Sequence, residues 1–260
     1  IAIVEPADSH YYQPAFTLVG AGVWPKARTR RAVGDLIPEG VARIRDTASG
    51  FAPDGNELEL ASGARLSYDF LVLCPGLALD WDGIAGAAEA LGSGGVCSNY
   101  DPAHTEYTWE CIQGLKAGAK VLCTQPPLPF KCPGAPQKIA YLAADHLRRR
   151  GILANCEVRF LAHGPAIFSV PYFVPDLEGV IRRYGIDARF QHNLTSVDGA
   201  AKQATFDIVG GEGEGGSVTL DYAMLHITPP QSPPACIKTS PSTNAAGYPD
   251  SDQATLWTAK

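Results

Sequence analysis

The chain has 260 residues, 45% of them apolar and 18% charged, with a formal net charge of −6, the composition of a globular protein long enough for two domains. That balance gives no support to nucleic-acid binding, and no apolar run approaches the ~20 residues needed to span a bilayer. The seven cysteines are odd in number and widely scattered, and no pair has the Cys-x-x-Cys spacing of a zinc site. A reducing compartment with one or two special thiols and no metal site is therefore expected, and the opening Ile-Ala-Ile-Val has no signal-peptide pattern.

Residues 1–4 read as an interior strand of a parallel sheet, short and wholly apolar, ending in Glu5. An acidic residue at such a strand tip is where a βαβ dinucleotide fold holds a ribose, with a glycine fingerprint about 20 residues upstream. Nothing stands upstream here, so either Glu5 is a surface carboxylate or the chain opens in mid-domain. The loop Ser9-His10-Tyr11-Tyr12-Gln13-Pro14 suits covering a flat cofactor, or closing a core. Short strands follow at Ile44 and, after the turn Pro53-Asp54-Gly55-Asn56, at the alternating Leu58 and Leu60. Residues 68–73 read as a buried strand ending at Cys74-Pro75-Gly76, where the glycine permits close approach to a ligand or simply turns the chain.

The small residues 83–95 are a candidate hinge, dividing 1–90 from 91–230, with 231–260 returning to the first domain. Beyond it the pattern is helix (105–116), strand (120–124), helix (137–150) and strand (157–161), a second βαβ unit. A helix at 176–184 and strands at 188–191, 204–209, 217–220 and 222–228 complete it. The glycine run 210–216 joins two strands and is read as a hairpin tip, not a phosphate loop. The prolines from 229 to 234 form a stiff connector, and 235–260 carries no complete element.

The loop between the strand at 120–124 and its helix is where an open α/β sheet places its ligand crevice. In a dinucleotide domain it would be Gly-x-Gly-x-x-Gly; here it is Pro127-Leu128-Pro129-Phe130-Lys131-Cys132-Pro133-Gly134-Ala135-Pro136. A cysteine just ahead of a helix and beside Lys131 is placed to favour the thiolate, which makes Cys132 the candidate reactive thiol. Ala162-His163-Gly164 stands where a ribose-reading carboxylate would follow the next strand, so this domain reads as one that no longer binds NAD. His163 is a loop histidine with no evident partner, read as structural before catalytic.

Several stretches resemble the sulfide:quinone oxidoreductases of mitochondrial type. They are Glu5-Pro6 with His10-Tyr11-Tyr12-Gln13-Pro14, Ser98-Asn99-Tyr100, Lys131-Cys132-x-Gly134-Ala135-Pro136-Gln137-Lys138, His226-x-Thr228-Pro229-Pro230 and Lys238-Thr239-Ser240-Pro241. The resemblance implies an α/β fold of tandem Rossmann-like, FAD/NAD(P)-binding domains, the first incomplete. It implies FAD on the first domain, with Glu5 on the ribose, Gln13 on the cofactor and a backbone contact at Ala48; Gly76 is the fourth candidate contact. Cys132 matches one of the two redox cysteines. Sulfide would open a cysteine disulfide or trisulfide, leaving a persulfide, and electrons would pass through FAD to ubiquinone or another membrane quinone. A small acceptor such as glutathione would take the sulfur. The family's partner cysteine and membrane-binding C-terminal region match nothing here, nor does its glycine fingerprint. An internal piece of such an enzyme, inactive by itself, is therefore expected. Its place would be the mitochondrial inner membrane surface, or the cytoplasmic membrane of a bacterial source. The alternatives are a related FAD-dependent NADH:quinone oxidoreductase and a non-catalytic remnant flavoprotein domain.

Overall fold

The computed structural model describes residues 1–241 and 243–258, which divide into two compact units. One comprises Ile1–His10, Arg30–Ala78 and the chain from Gln231 onward; the other comprises Tyr11–Thr29 and Leu79–Pro230. The division falls after Ala78 rather than near residue 90, and residues 11–29 cluster with the second unit.

In the first unit, Ala2–Val4 runs parallel to Ala42–Ile44, with Ala2 opposite Ala42 and Val4 opposite Ile44. The pairing is parallel as expected, but Ile1 and Ile3 are exposed, so this is not a buried interior strand. The alternation at Leu58 and Leu60 does give a strand, Glu57–Leu60, with both leucines buried. It is the middle of a three-stranded antiparallel sheet between Ala48–Ala52 and Arg65–Ser67. The strand expected at 68–73 does not form: those residues have no regular structure, and Phe70 and Val72 are 80% and 83% exposed. The composition suits a strand, but no described strand runs beside the segment, and a strand without a ladder has nothing to satisfy its backbone.

The second unit carries a five-stranded parallel sheet. We number its elements in chain order: α1 (Phe16–Gly20), β1 (Val96–Cys97), α2 (Thr105–Gly114), β2 (Lys120–Gln125), α3 (Ala135–Arg149), β3 (Glu157–Ala162), α4 (Val174–Tyr184), β4 (Asp187–Phe190), β5 (His192–Asp198), β6 (Gln203–Ile208), β7 (Ser217–Asp221) and β8 (Met224–His226). The parallel order is β4-β3-β2-β8-β1, and β5-β6-β7 form an antiparallel meander. Strand β2 is apolar at successive positions because both its faces are covered, Val121 and Cys123 on one side and Leu122 on the other. Helix α3 lays Ile139, Ala140, Ala143, Ala144 and Leu147 on the first face, its alanines allowing close approach. Full burial of residues such as Leu147 and Phe160 stabilises by roughly 1.5–3 kcal/mol each. Helix α3 ends at its arginines, and the Arg150 guanidinium donates to the carbonyls of Gln113 (3.1 Å) and Leu115 (2.8 Å), closing the end of α2 as well.

The opposite face packs Leu122, Leu161 and Leu225 against Leu194, Val197 and Phe206 of the meander. Strand β5 was not anticipated from the sequence; its register shifts between Leu194 and Ser196, a bulge that interrupts the alternation a strand is recognised by. The glycine run at 210–216 does join two antiparallel strands, as its lack of a following helix predicts. The expected hinge at 83–95 is instead packed: Ile84, Ala87 and Ala90 are buried against the meander, and Gly86 lies at φ +73°. Small residues there serve close packing, because a Cβ on Gly86 would lie 2.3 Å from the Val197 carbonyl oxygen. Among the described residues no helix is long and apolar enough to cross a membrane.

Candidate functional site

The C-terminal edge of the parallel sheet gathers the polar residues of the second unit. Strand β1 runs on into Ser98, Asn99 and Tyr100, β2 ends at Thr124 and Gln125, and β8 ends at His226 and leads to Thr228. Ser98, Asn99, Thr124, His226 and Thr228 are buried, and Tyr100 and Gln125 half-buried, where three parallel strands stop and backbone groups run out of ladder partners. The Thr124 hydroxyl donates to the His226 carbonyl at 3.3 Å and accepts the Thr228 N–H at 3.2 Å, tying β2 to β8 beyond the last ladder bond. His226 Nε2 accepts the Asn99 N–H at 3.1 Å, so its lone pair is in use and the ring's proton resides on Nδ1. Burial holds the His226 pKa down to about 3, which keeps that ring neutral.

Cys132 stands on the loop that leaves β2 and enters α3, the expected crevice position. Its backbone is left-handed at φ +55°, an unusual conformation for a residue with a side chain. Its carbonyl accepts the Ala135 N–H at 2.8 Å, turning the chain into the helix, and Pro136 occupies the first turn. The thiol is exposed. The Lys138 ammonium lies beside it, with Nζ 3.8 Å from Sγ. Lys131, the cation expected to act on the thiol, sends its ammonium to Gln13 Oε1 at 3.3 Å. Gln13 and Cys132 are thus brought to one loop through Lys131, although 118 residues separate Gln13 from that lysine.

Two further side chains pin the loop. The Tyr100 hydroxyl donates to the Lys131 carbonyl at 3.1 Å. Burial, with the nearby Cys132 sulfur adding to it, pushes the Tyr100 phenol up, so it remains a donor. Gln137 is buried in the first turn of α3; its amide donates to the Ile167 carbonyl and accepts the Tyr141 hydroxyl at 3.2 Å. Residue-level reading assigned no role to Lys138 or Tyr100. Lys138 was findable, since side chains in a first helical turn lean toward the N-terminus, where the cysteine sits.

The other candidates lie in the first unit. Glu5 ends Ala2–Val4; its carboxylate accepts the Ala7 N–H at 2.7 Å, and its carbonyl is held by Arg43 at 3.3 Å. That carboxylate is fixed at the tip of a parallel strand, a geometry suited to a sugar hydroxyl. Ala48 opens Ala48–Ala52 beside a register shift, where ladder pairing is irregular and backbone groups suit contact with another group. Gly76 lies at φ +78°, a conformation open to glycine, in the segment without regular structure. These three share a unit, and Gln13 and Cys132 share the other.

No protein-family model matches the chain. It is 38% identical over 257 residues to the mitochondrial sulfide:quinone oxidoreductase of Dictyostelium discoideum, covering 98% of this chain and 56% of the relative. The mouse protein of the same name is 38% identical over 256 residues, with the same coverage. The chain therefore spans about half the length of the curated relatives it matches. Among solved structures, the sulfide:quinone oxidoreductase of Aquifex aeolicus aligns with a TM-score of 0.76 at 18% identity, over 99% of this chain and 57% of that one. An NDH2 of Plasmodium falciparum in complex with NADH aligns with a TM-score of 0.68 at 9% identity, over 92% of this chain and 52% of that one. The α/β fold of tandem Rossmann-like domains is thereby shared.

Proposed function

We propose that this chain, which belongs by sequence to the sulfide:quinone oxidoreductase family, carries the sulfur-handling half of an FAD-dependent sulfide oxidation, with Cys132 as a sulfur-bearing residue. The single observation that carries the reading is Cys132 itself, an exposed thiol at the mouth of a parallel sheet with the Lys138 ammonium 3.8 Å from its sulfur. In the reaction, hydrosulfide attacks a sulfur bridge between Cys132 and a second thiol; one S–S bond breaks, one forms, and a persulfide and a thiolate result. Lys138 stabilises the negative sulfur and draws hydrosulfide in; Tyr100, through the Lys131 carbonyl, fixes the loop that presents it. The resemblance matches none of the other six cysteines to the second thiol, and we assign that thiol to a part of the family's sequence that this chain does not span.

Glu5, Ala48, Gly76 and Gln13 are the proposed contacts to FAD, and the fixed Glu5 carboxylate is the feature that fits a ribose. When bound, the flavin supplies a two-electron acceptor for the released thiolate and a donor for a membrane quinone. Glutathione or a similar small thiol takes the persulfide sulfur. The relatives' names place the activity in mitochondria, and we assign the chain to the inner membrane surface there.

The deciding experiment uses the flavin-loaded full-length parent of this chain. Cys132→Ser is expected to abolish flavin reduction by sulfide while the flavin spectrum is retained; near-normal bleaching would refute the assignment. An NADH:quinone reductase is disfavoured by the loop sequence, since Pro126, Pro127 and Pro129 stand where a pyrophosphate needs bare backbone. Stopped-flow mixing with NADH or NADPH should accordingly leave the flavin oxidised, and fast bleaching would revive that reading.

A further inference from the structure

At the opposite, N-terminal edge of the same sheet lies a surface cavity of about 500 Å³. Gly95, Ala119 and Ala223, the residues just before β1, β2 and β8, form its floor, and Tyr107, Cys111 and Lys202 line its wall. Cys111 projects from α2 against the apolar face that contains the fully buried Cys97 of β1. Helix α2 packs on β1, and Cys111 and Tyr107 both lie against the apolar cluster that contains Cys97. The Tyr107 oxygen accepts the Gly95 N–H at 3.1 Å, which fixes this side chain at the cavity.

We propose that Cys111 and Cys97 form a thiol pair that a small anionic disulfide, entering the cavity, oxidises to an internal disulfide. Cys111 is the attacking member because it lines the cavity, which Cys97 does not. The hydrogen bond from Cys97, then that from Tyr107, hold the Cys111 thiol below its ordinary range; Lys202 assists, while burial and Glu110 oppose. Burial pushes Cys97 well above that range, which suits it to the second step only. The anionic preference follows from Lys202 and Lys116 on the cavity wall, against the single carboxylate of Glu110. Cys123, a third thiol on that face, is fully buried and does not border the cavity.

The step balances as follows. The Cys111 thiolate attacks one sulfur of the small disulfide, forming a mixed disulfide and releasing one small thiol. Cys97 then displaces the second small thiol, its proton leaving with that thiol. Two protein thiols are oxidised and one small disulfide is reduced to two thiols. Cys132 lies at the other edge of the sheet and takes no part.

Oxidised glutathione is the probe, applied to the chain under native conditions, followed by alkylation, digestion and mass spectrometry. A peptide pair linked through Cys97 and Cys111 is expected. Before it appears, Cys111 should be modified about tenfold faster at pH 7 than Cys156, another half-buried thiol of the same unit. In Cys97→Ala the reaction should stop at the Cys111 adduct, and Lys202→Gln should slow that adduct severalfold. Equal rates at Cys111 and Cys156, or an adduct at Cys111 with no linked pair in the unmodified sequence, would overturn the proposal without touching the role of Cys132.

Discussion

Lys138 and His226 show how position on the sheet edge sets what a charged or titratable side chain does. Lys138 and Cys132 are both exposed, so their attraction at 3.8 Å is worth about 1 kcal/mol in water and fades with salt. Lys138→Gln should therefore slow the reaction of Cys132 with a dianionic aromatic disulfide about fivefold. A neutral maleimide should be affected less, and the difference should vanish near 1 M salt. Equal slowing of both reagents would mean that the lysine acts by shaping the loop. His226 is the buried counterpart. Its pKa falls from an ordinary ~6.5 to about 3 on folding, so between those values the unfolded chain binds the extra proton. Its contribution is fully present above ~6.5 and is lost as pH falls toward 3. Urea unfolding of the second unit should lose about 2–3 kcal/mol between pH 7 and 4.5 from this residue alone. His226→Gln should flatten that part of the slope; an unchanged slope would refute the assignment, since Asp145 and Asp221, whose pKa values are also lowered, act only below the ordinary carboxylate value of ~3.9.

At the level of elements, legibility followed the number of neighbours an element needs. The helix α3 and strand β2 declare themselves because their apolar patterns are met by partners close in sequence. The stretch 68–73 has an equally apolar pattern, yet strand formation depends on a neighbour that no local pattern reveals. Lys131 and Lys138 flank the same cysteine; the Lys138 ammonium lies 3.8 Å from its sulfur, while that of Lys131 reaches Gln13, far away in the chain. The segment 83–95 failed for another reason: Gly and Ala look mobile in a sequence whether they are loose or tightly packed. That ambiguity is testable at Gly86. An alanine there must adopt φ +73° and meet a backbone oxygen at 2.3 Å, so Gly86→Ala should cost at least ~1–2 kcal/mol in the urea midpoint. A neutral effect would restore the hinge.

At the scale of the whole molecule, the two units differ in how their backbone is secured. The second has a five-stranded parallel sheet covered on both faces by separate apolar clusters. The first has a two-stranded parallel pair and a three-stranded antiparallel sheet, and it exposes Ile1, Ile3, Phe70 and Val72. Two-stranded pairing is marginal in water, and stability rises with the number of strands and the apolar area covered. Local opening should therefore reach the first unit well before global unfolding does. Native-state hydrogen exchange is the measurement. Amides of β2, β3 and β8 should exchange slowest, and those of Ala2–Val4 and residues 68–77 fastest, with proteolytic nicking starting in the latter. A dye that reports exposed apolar surface should bind the native chain and lose that signal when Phe70 and Val72 are both made polar. Equal protection across both units would mean that they open together, and the separate accounting of their stabilities would fall.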